Sequence, residues 1–346
     1  MKRIVIEEHF LTEGFLAFLH SRKAYPRLEA GEDGKGQKLE RLWRSPDPSD
    51  CTVLYPDDIK RLVDLGEGRL REMDRDGIDM QVLSFINPGA EMFDPATGTD
   101  LAKKSNDELA KAVRKHPGRL AGFAALAPQD PEGAADELER AVKELGLKGA
   151  KINSHVGGEY LDNRKYWIIF EKAEQLGVPI YLHPRNPSPD ILKACAPYPA
   201  LTGSMWGYAI ETSLHAMRLI LSGVFDQYPG LKIILGHLGE GLPFWLWRMD
   251  SRWRRQAAAS DPLASKIKKA PSQYVKDNFF VTTSGMFWQP AFMCVYTALG
   301  ADRILFAVDY PFEANREAVE FMEGISICDI DKEKIYHLNA ERILRL

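Results

Sequence analysis

The sequence is poor in cysteine, has no excess of positive charge and contains no long apolar run. Its four cysteines, Cys51, Cys195, Cys294 and Cys328, form no CxxC pair, which argues against a disulfide framework or a thiolate zinc cluster. Lys and Arg number 45 against 49 Asp and Glu, so the net charge of −4 offers no basic surface for nucleic acid. No stretch reaches the roughly 18 apolar residues that a membrane span requires. No secretory signal precedes the first acids, so we expect a cytoplasmic protein with a small-molecule partner.

The 346 residues do contain enough apolar side chain for a large core, with 45% hydrophobic residues. Short β-branched or apolar runs alternate with longer segments of helical periodicity. The predicted strands are 3–9, 80–85, 120–126, 149–153, 179–183, 232–237, 279–284 and 303–309. The predicted helices are 57–76, 99–115, 131–145, 166–176, 209–227, 243–255, 290–299 and 331–346. This alternation predicts an α/β fold, a closed (β/α)8 TIM-like barrel that residues 1–346 form as a single domain.

Residues 21–56 interrupt the alternation after the first predicted strand. The segment combines several Gly and Pro with mixed charge, and Leu42 and Trp43 are its only notable apolar interruption. A connection of this length is uncommon unless it forms a lid or is disordered. Since the active-site mouth of a barrel lies at this end of the strand, we predict a lid insertion, with a flexible loop as the alternative.

Side chains that can bind a metal lie at the ends of four predicted strands. The first strand ends with Glu7 and His9 on one face, and the fifth ends with His183. The sixth strand ends with His237 and the eighth with Asp309. The carboxyl ends of barrel strands form one mouth, so we expect these groups to converge. Imidazole nitrogens together with carboxylate oxygens suit one divalent ion, Zn²⁺ or Mn²⁺.

The fourth predicted strand raises two further questions. Asn153 and His155 lie at its end and face the same mouth, and we predict that His155 contacts substrate. Lys151 lies on this strand, where many two-metal enzymes of this architecture carry a carboxylated lysine. However, Lys151 lies two residues before the strand's end, and the first strand has Glu-x-His where a two-metal site has His-x-His. A single metal is therefore predicted.

Five stretches of the chain resemble the metal-dependent aromatic acid decarboxylases of the amidohydrolase superfamily. This group holds γ-resorcylate, 2,3-dihydroxybenzoate and 5-carboxyvanillate decarboxylases and, more distantly, aminocarboxymuconate semialdehyde decarboxylase. The stretches are Glu-Glu-His-Phe at 7–10, Tyr-Leu-His-Pro-Arg-Asn-Pro at 181–187, Gly-His-Leu-Gly-Glu at 236–240, Trp-Arg-Met-Asp at 247–250 and Asp-Tyr-Pro-Phe-Glu at 309–313. They span nearly the whole chain in family order, but they divide between the γ-resorcylate and 5-carboxyvanillate branches.

The resemblance implies a role for each matching residue. The implied metal ligands are Glu7, His9, His183 and Asp309. It also implies that His237 lies close to the metal and to Asp309, and that Arg248 and Phe312 line the substrate pocket. A homodimer or homotetramer is expected from the family, and the aromatic-rich stretch 244–253 could supply an interface.

Removing a carboxylate from an aromatic ring requires a proton donor, because direct loss of CO₂ would leave an aryl carbanion. We predict that Asp309 protonates the ring carbon, that His237 orients Asp309, and that Glu240 fixes the tautomer of His237. Asp309 must then begin protonated, and the negative charge of a bound substrate could raise its pKa enough. Arg44 is a candidate partner for a second anionic substituent on the ring.

The predicted function is therefore metal-dependent, non-oxidative decarboxylation of a hydroxylated aromatic carboxylic acid by a carboxy-lyase. One alternative is a metal-dependent hydrolase of a lactone or amide, in which Asp309 acts as base on a metal-activated water. A hydratase on the same barrel and a barrel that binds metal without catalysis are the others. Release of CO₂ without consumption of water distinguishes the first function from these alternatives.

Overall fold

The computed structural model describes residues 1–259 and 267–346, and it confirms a barrel of parallel strands surrounded by helices. The strands in this part are β1 (Ile4–Phe10), β2 (Arg27–Glu32), β3 (Lys38–Trp43), β4 (Cys51–Leu54), β5 (Met80–Phe85), β6 (Leu120–Gly122), β7 (Ala124–Ala125), β8 (Ala150–Asn153), β9 (Ile180–His183), β10 (Ile233–Leu235), β11 (Phe279–Thr282) and β12 (Ile304–Leu305). The order β1-β5-β6 continues across Phe123 into β7-β8-β9-β10-β11-β12, and all these neighbours pair in parallel.

Backbone hydrogen bonds close this sheet into a ring. The Asp309 amide donates to the Glu7 carbonyl at 3.1 Å, and the His9 amide donates to the Tyr310 carbonyl at 2.8 Å, which joins the segment after β12 to β1. On the other side, the Phe123 amide donates to the Leu83 carbonyl at 2.8 Å. The fold is therefore a (β/α)8 TIM-like barrel, and the carboxyl ends of its strands meet at one mouth.

Helices cover the outside of the barrel. They are Glu13–Ser21, Pro56–Val63, Glu67–Asp76, Pro95–Lys115, Pro131–Lys143, Trp167–Leu176, Pro189–Cys195, Gly207–Ser222, Val224–Gln227, Leu242–Ala258, Pro271–Asn278, Gln289–Leu299, Asn315–Gly324, Asp329–Glu333 and Asn339–Leu344, with a π-helical turn Lys334–Leu338 before the last. Four of them, Glu13–Ser21, Pro189–Cys195, Pro271–Asn278 and Asn315–Gly324, were not predicted. Within the described residues, no helix has both the length and the apolar character needed to cross a membrane.

Two of the predicted helices are each broken in two. The prediction of one helix over 57–76 is wrong, because the Asp64 carboxylate accepts the Gly66 amide at 2.8 Å and ends the first helix in a turn. The prediction over 209–227 is also wrong, because Gly223 adopts a left-handed conformation with φ 84°. The last predicted helix, 331–346, begins at Asp329 instead and contains the π-helical turn.

Two predicted strands are shorter than expected, and both end beside the mouth. The strand predicted over 232–237 ends at Leu235, because His237 and Leu238 have left-handed φ values of 51° and 54°. The strand predicted over 303–309 covers only Ile304–Leu305. After β12 ends, the Thr283 hydroxyl accepts a hydrogen bond from the Ala307 amide at 3.0 Å and donates one to the Ala307 carbonyl at 2.9 Å. At Ala307 this side chain therefore takes the place of the backbone of a neighbouring strand.

An irregularity in β1 directs its last side chains to the mouth. Ile4 and Ile6 pack in the apolar cluster that fills the barrel interior. Strict alternation would then turn Glu7 and His9 away from the interior. The pairing of β1 with β5 shifts register between Val5 and Glu8, however, and such bulges re-aim side chains next to active sites.

The predicted insertion, residues 21–56, contains a small antiparallel sheet in the order β2-β3-β4. At the β2–β3 turn, the Asp33 carboxylate accepts the amides of Lys35 and Gln37 at 2.8 and 2.9 Å. A hydrogen bond joins the segment to the barrel: the side-chain amide of Asn186, in the connection after β9, donates to the Asp50 carboxylate at 2.8 Å. The segment therefore contains regular secondary structure, and the choice between a lid and a flexible insertion stays a prediction.

Candidate metal centre and active site

A cavity of about 200 Å³ opens at the carboxyl ends of the barrel strands. Its wall combines imidazole and carboxylate groups with apolar and amide side chains, as small-molecule sites do. The lining residues are His9, Leu42, Arg44, Thr52, Leu54, Ile86, Asn87, His183, Pro184, Ser204, Tyr208, His237, Asp309, Phe312 and Glu313. A larger hollow of about 460 Å³ between helices Pro56–Val63 and Glu67–Asp76 contains none of the predicted site residues, and its acids and bases face each other.

Three potential metal-binding side chains meet at the floor of this cavity. One ligating atom from each of His9, His183 and Asp309 lies within 4.8 Å of the other two. The His9 Nε2 atom is 2.8 Å from Asp309 Oδ1, and the rings of His9 and His183 meet edge to face with centroids 4.9 Å apart. Two imidazole nitrogens and a carboxylate oxygen at this spacing are a donor set for Zn²⁺ or Mn²⁺.

Glu7 adds a fourth donor to this group. Its side chain is fully buried, and its Oε2 atom accepts hydrogen bonds from the Thr282 hydroxyl at 2.9 Å and from the Ser284 hydroxyl. Its Oε1 atom has no hydrogen-bond partner among the described residues. That atom lies 3.6 Å from His183 Nε2. A buried carboxylate oxygen is costly to leave unpaired, so this arrangement fits a cation between Glu7 and the imidazoles.

The two strand-end histidines are held in the neutral form that binds metal. Burial, together with the positive charge of Lys151, lowers the pKa of His9 and lowers the pKa of His183 well below its ordinary value. The His183 Nδ1 atom is 3.0 Å from Asn153 Oδ1. Since Asn153 can only accept there, that nitrogen carries the proton and Nε2 is free to bind metal.

His237 forms a hydrogen-bonded pair with Glu240 next to the cation site. Its Nδ1 atom is 2.8 Å from Glu240 Oε1, and its Nε2 atom is 3.7 Å from Asp309 Oδ2. Burial opposes a charge on His237, but the negative charges of Glu240 and Glu7 outweigh it and raise the pKa of His237 well above its ordinary value. The left-handed turn that contains both residues lets two side chains three positions apart meet.

Asp309 is ionised in this arrangement. Burial raises its pKa, but the nearby His237 imidazole, 3.7 Å away, and the hydrogen bond with His9 prevail and lower the pKa of Asp309 to about 2. These two shifts favour a proton on His237 over one on Asp309 before substrate enters, whereas the sequence led us to expect Asp309 to begin protonated. A short transfer to Oδ2 of Asp309 would place this proton beside the cavity.

Two predicted substrate-binding residues do line the cavity. Arg44 follows β3, is 4% exposed, and its Nε and Nη1 atoms have no hydrogen-bond partner within residues 1–259 and 267–346. Phe312 is 44% exposed, and its ring centroid is 5.9 Å from that of His9. A buried guanidinium with free donors beside an aromatic wall can bind an anionic group on a ring.

Three other predicted substrate-binding residues are not among the lining side chains. Asn153 holds His183 and donates to the Glu91 carboxylate at 3.2 Å. His155 has both ring nitrogens occupied, Nδ1 by the Gly158 amide at 3.0 Å and Nε2 beside the Asn186 carbonyl at 3.2 Å. Arg248 is exposed on the helix Leu242–Ala258.

Sequence reasoning missed several residues that contribute to the site. Asn87 lines the cavity with a buried Oδ1 atom that has no hydrogen-bond partner among the described residues. It comes directly after the second predicted strand's Phe85-Ile86, so the strand-end rule could have found it. Lys151 was considered from the sequence only as a possible carboxylated lysine; its Nζ atom lies 3.5 Å from His9 Nδ1, and desolvation by burial lowers the pKa of its amine to about 8. Ser204 comes from the connection before the helix Gly207–Ser222 and Tyr208 from the first turn of that helix, and the sequence pattern gave no signal for either.

Known proteins share this fold and much of this sequence. The profile of the amidohydrolase family matches residues 48–346. The γ-resorcylate decarboxylase of Polaromonas sp. (strain JS666 / ATCC BAA-500) is 38% identical, and the alignment covers 99% of this chain and 98% of the relative.

Solved structures give a similar result. The crystal structure of 5-carboxyvanillate decarboxylase from Sphingomonas paucimobilis superposes with a TM-score of 0.87 at 38% identity, covering 100% of this chain and 99% of that one. A dihydroxybenzoic acid decarboxylase from Polaromonas sp. JS666, crystallised with bound manganese and the inhibitor 2-nitroresorcinol, gives a TM-score of 0.85 at 38% identity, covering 100% and 97%.

Proposed function

Because this chain belongs to the amidohydrolase family, we propose that its substrate is a benzoate with a hydroxyl group next to the reacting carboxylate and a second anionic group elsewhere on the ring. The chain is a carboxy-lyase that decarboxylates hydroxylated benzoates without oxidation and uses a divalent metal. The observation that carries the finer proposal is the buried guanidinium of Arg44, a residue that lines the same cavity as the cation site and has two donors without a hydrogen-bond partner among the described residues.

We propose that His9, His183 and Asp309 hold one divalent ion, Zn²⁺ or Mn²⁺, with Glu7 as a fourth ligand. The support is the spacing of the three donors and the unpaired Oε1 atom of Glu7. When bound, the ion supplies a Lewis acid that the substrate's carboxylate and adjacent hydroxyl oxygen can chelate. Asn153 fixes the orientation of His183 from the outside of the cavity.

The proton for the ring carbon comes from the pair of Asp309 and His237. His237 carries the proton at rest, because Glu240 stabilises the imidazolium at 2.8 Å. Entry of an anionic substrate adds negative charge beside Asp309 and so favours transfer of that proton to its carboxylate. Asp309 then protonates the carbon that bears the substrate carboxylate. The bond to CO₂ breaks afterwards, and its electron pair restores the aromatic ring.

We assign the second anionic group of the substrate to Arg44. A buried arginine with unpaired donors is expected to bind a ligand anion, because buried donors without a hydrogen-bond partner are unfavourable. Asp50 lies near Arg44 and lowers this cost in the absence of substrate. Phe312 provides an apolar wall near His9 for the ring.

The substrate assignment is tested by assaying CO₂ release from 5-carboxyvanillate and from 2,6-dihydroxybenzoate. We expect the higher kcat/KM with 5-carboxyvanillate, which carries a second carboxylate. Arg44→Gln should raise KM for this substrate about 10- to 100-fold, and KM for 2,6-dihydroxybenzoate less than about three-fold.

Arg41→Gln is the matched control for this variant, because Arg41 lies on the adjoining strand β3 but does not line the cavity. Equal effects of Arg44→Gln on both substrates, or a preference of the native protein for 2,6-dihydroxybenzoate, would remove Arg44 as the determinant. Water consumption without CO₂ release would instead indicate the hydrolase or hydratase.

We further propose that residues 1–346 form one domain in which residues 21–56 act as a lid over the mouth. The support is that Leu42, Arg44, Thr52 and Leu54 from this segment line the cavity. A homodimer or homotetramer is proposed to form through the helix Leu242–Ala258, where Phe244 and Trp247 are 72% and 76% exposed. Such an interface would bring Arg248 close to another subunit. The predicted contact between Arg248 and substrate depends on this interface. The cytoplasmic location stays a prediction.

A further inference from the structure

Glu8 is a buried carboxylate that the chemistry described above does not use. Its side chain is 0% exposed, and it is not among the residues that line the cavity. It lies between Glu7 and His9 on β1, which both face the cation site. A carboxylate withdrawn so completely from water needs specific partners inside the protein.

Those partners are the two backbone amides on either side of Asp309. The Val308 amide donates to Glu8 Oε1 at 3.1 Å, and the Tyr310 amide donates to Glu8 Oε2 at 3.1 Å. The amide of Asp309 itself donates to the Glu7 carbonyl, also at 3.1 Å. Three consecutive amides are thereby fixed to the end of β1.

The backbone between these amides has a conformation that it would not adopt unaided. Asp309 has φ 83°, in the left-handed region that side chains other than Gly rarely occupy. This segment is not part of a strand, since β12 ends at Leu305. Without a fixed ladder, external hydrogen bonds must hold the residue in place.

Arg69 completes the support from the other side. Its buried guanidinium donates to the His9 carbonyl at 2.9 Å, and its carbon lies 4.7 Å from the centroid of the Tyr310 ring. It is also close enough to attract the Glu8 carboxylate. The same cation therefore contacts the residues that follow Glu8 and Asp309 in sequence.

We propose that Glu8 is a positioning residue for decarboxylation: by binding the amides of Val308 and Tyr310, it holds the Asp309 carboxylate between His9 and His237. This inference rests on the proposed role of Asp309. Glu8 touches neither substrate nor the reacting atoms. Its removal should lower kcat and leave the binding of the ring nearly unchanged.

The first variant is Glu8→Gln, assayed at saturating manganese over a range of substrate concentrations. The amide keeps the shape of the side chain but has one acceptor, so one of the two backbone amides loses its partner. We expect kcat to fall about 10- to 100-fold while KM changes less than about three-fold. If this variant does not fold, Glu8→Asp retains the charge near Arg69 but is too short to reach both amides, and kcat should fall in the same way.

Glu211→Gln is the matched control. Glu211 is also 0% exposed and accepts a backbone amide, that of Ser188, at 2.8 Å, but it does not contact Asp309. Its replacement should lower the melting temperature by a similar amount and leave kcat within about two-fold. Equal losses of kcat in the two variants, or a folded Glu8→Gln protein with native kcat, would overturn the proposal.

A readout without turnover separates this inference from the proposed function. Crystal structures of the native and Glu8→Gln proteins should differ at residues 308–310, with the Asp309 carboxylate displaced from His237. If the native protein releases no CO₂ from any hydroxybenzoate, the proposed function fails, yet this displacement still tests Glu8. An Asp309 that keeps its left-handed backbone and its position in the variant would refute the role of Glu8.

Discussion

Two groups of histidines in this barrel differ in what their nitrogens contact. His9, His183 and His237 each have Nδ1 close to a side chain, Ser84 at 3.3 Å, Asn153 at 3.0 Å and Glu240 at 2.8 Å respectively, and their Nε2 atoms approach Glu7 or Asp309. His155 and His215 are buried, and the partners of their nitrogens are backbone groups or a hydroxyl and not carboxylates. For His215, Nε2 accepts the Leu161 amide at 2.9 Å and Nδ1 is 3.2 Å from the Ser154 hydroxyl.

The difference is one of available chemistry rather than of burial. A histidine whose second nitrogen meets carboxylates can bind a cation or exchange a proton. A histidine whose two nitrogens are both hydrogen-bonded to backbone or hydroxyl groups has a structural role, because it stabilises the loops that it joins. This difference can be tested by replacing a carboxylate that contacts the first group of histidines and, separately, by replacing a histidine of the second group.

The largest effect is expected when the carboxylate shared by the first group is removed. Asp309→Asn retains size and can still face His9, but it cannot hold a transferable proton. We expect kcat to fall about 10²- to 10⁴-fold. The measurement is CO₂ release at saturating substrate, with bound manganese determined in the same sample. Near-normal turnover by the variant would discard Asp309 as the proton donor.

A smaller effect is expected from the partner behind His237. Glu240→Gln keeps a hydrogen bond to Nδ1 but removes the negative charge that helps to raise the pKa of His237. We expect kcat to fall about 10- to 100-fold with little change in KM. Steady-state kinetics across pH would check this, because the imidazolium form should be lost at lower pH in the variant. An unchanged pH profile would show that Glu240 does not control His237.

The smallest effect on catalysis is expected in the second group. His215→Leu leaves the Leu161 amide unpaired, which should reduce the free energy of unfolding by about 1 to 3 kcal/mol. Its kcat should remain within about two-fold of the native value. Denaturant unfolding and CO₂ release measured on one preparation check both statements. A large loss of kcat with native stability would mean that burial, not nitrogen occupancy, distinguishes the two groups.

The same variant should also change how stability depends on pH. Burial, with the charges of His155 and Arg218, lowers the pKa of His215 from 6.5 to about 3. Between these values the unfolded chain binds a proton that the folded protein does not bind, so stability falls as pH decreases from 6.5 towards 3. His215→Leu removes this contribution, and its unfolding free energy should decline less steeply over that range. A parallel decline in both proteins would contradict the assignment.

The regular parts of the site were predictable from the sequence. Glu7, His9 and His183 end strands whose apolar patterns identify them, and the geometry of a parallel barrel brings them together. His237 and Asp309 were expected at strand ends but lie in left-handed turns beyond them. No periodicity encodes such a turn, because it is maintained by tertiary contacts such as those of Glu8.

The same limit explains His155 and the sheet within residues 21–56. His155 follows β8 and His183 ends the adjacent strand β9, but the nitrogens of His155 are occupied by Gly158 and by Asn186, a partner remote in sequence. The pattern along one strand cannot indicate such a partner. In residues 21–56, the strands β2 and β3 are short and rich in charge, so alternation was too weak to predict a sheet.

Everything in this account depends on a divalent ion held between Glu7, His9, His183 and Asp309. The most direct measurement is elemental analysis of purified, fully active protein, followed by chelation and readdition of manganese during an assay of CO₂ release. We predict about one equivalent of a divalent metal per chain, loss of activity on chelation, and recovery with Mn²⁺. A metal-free protein that decarboxylates at full rate in the presence of chelator would contradict the account.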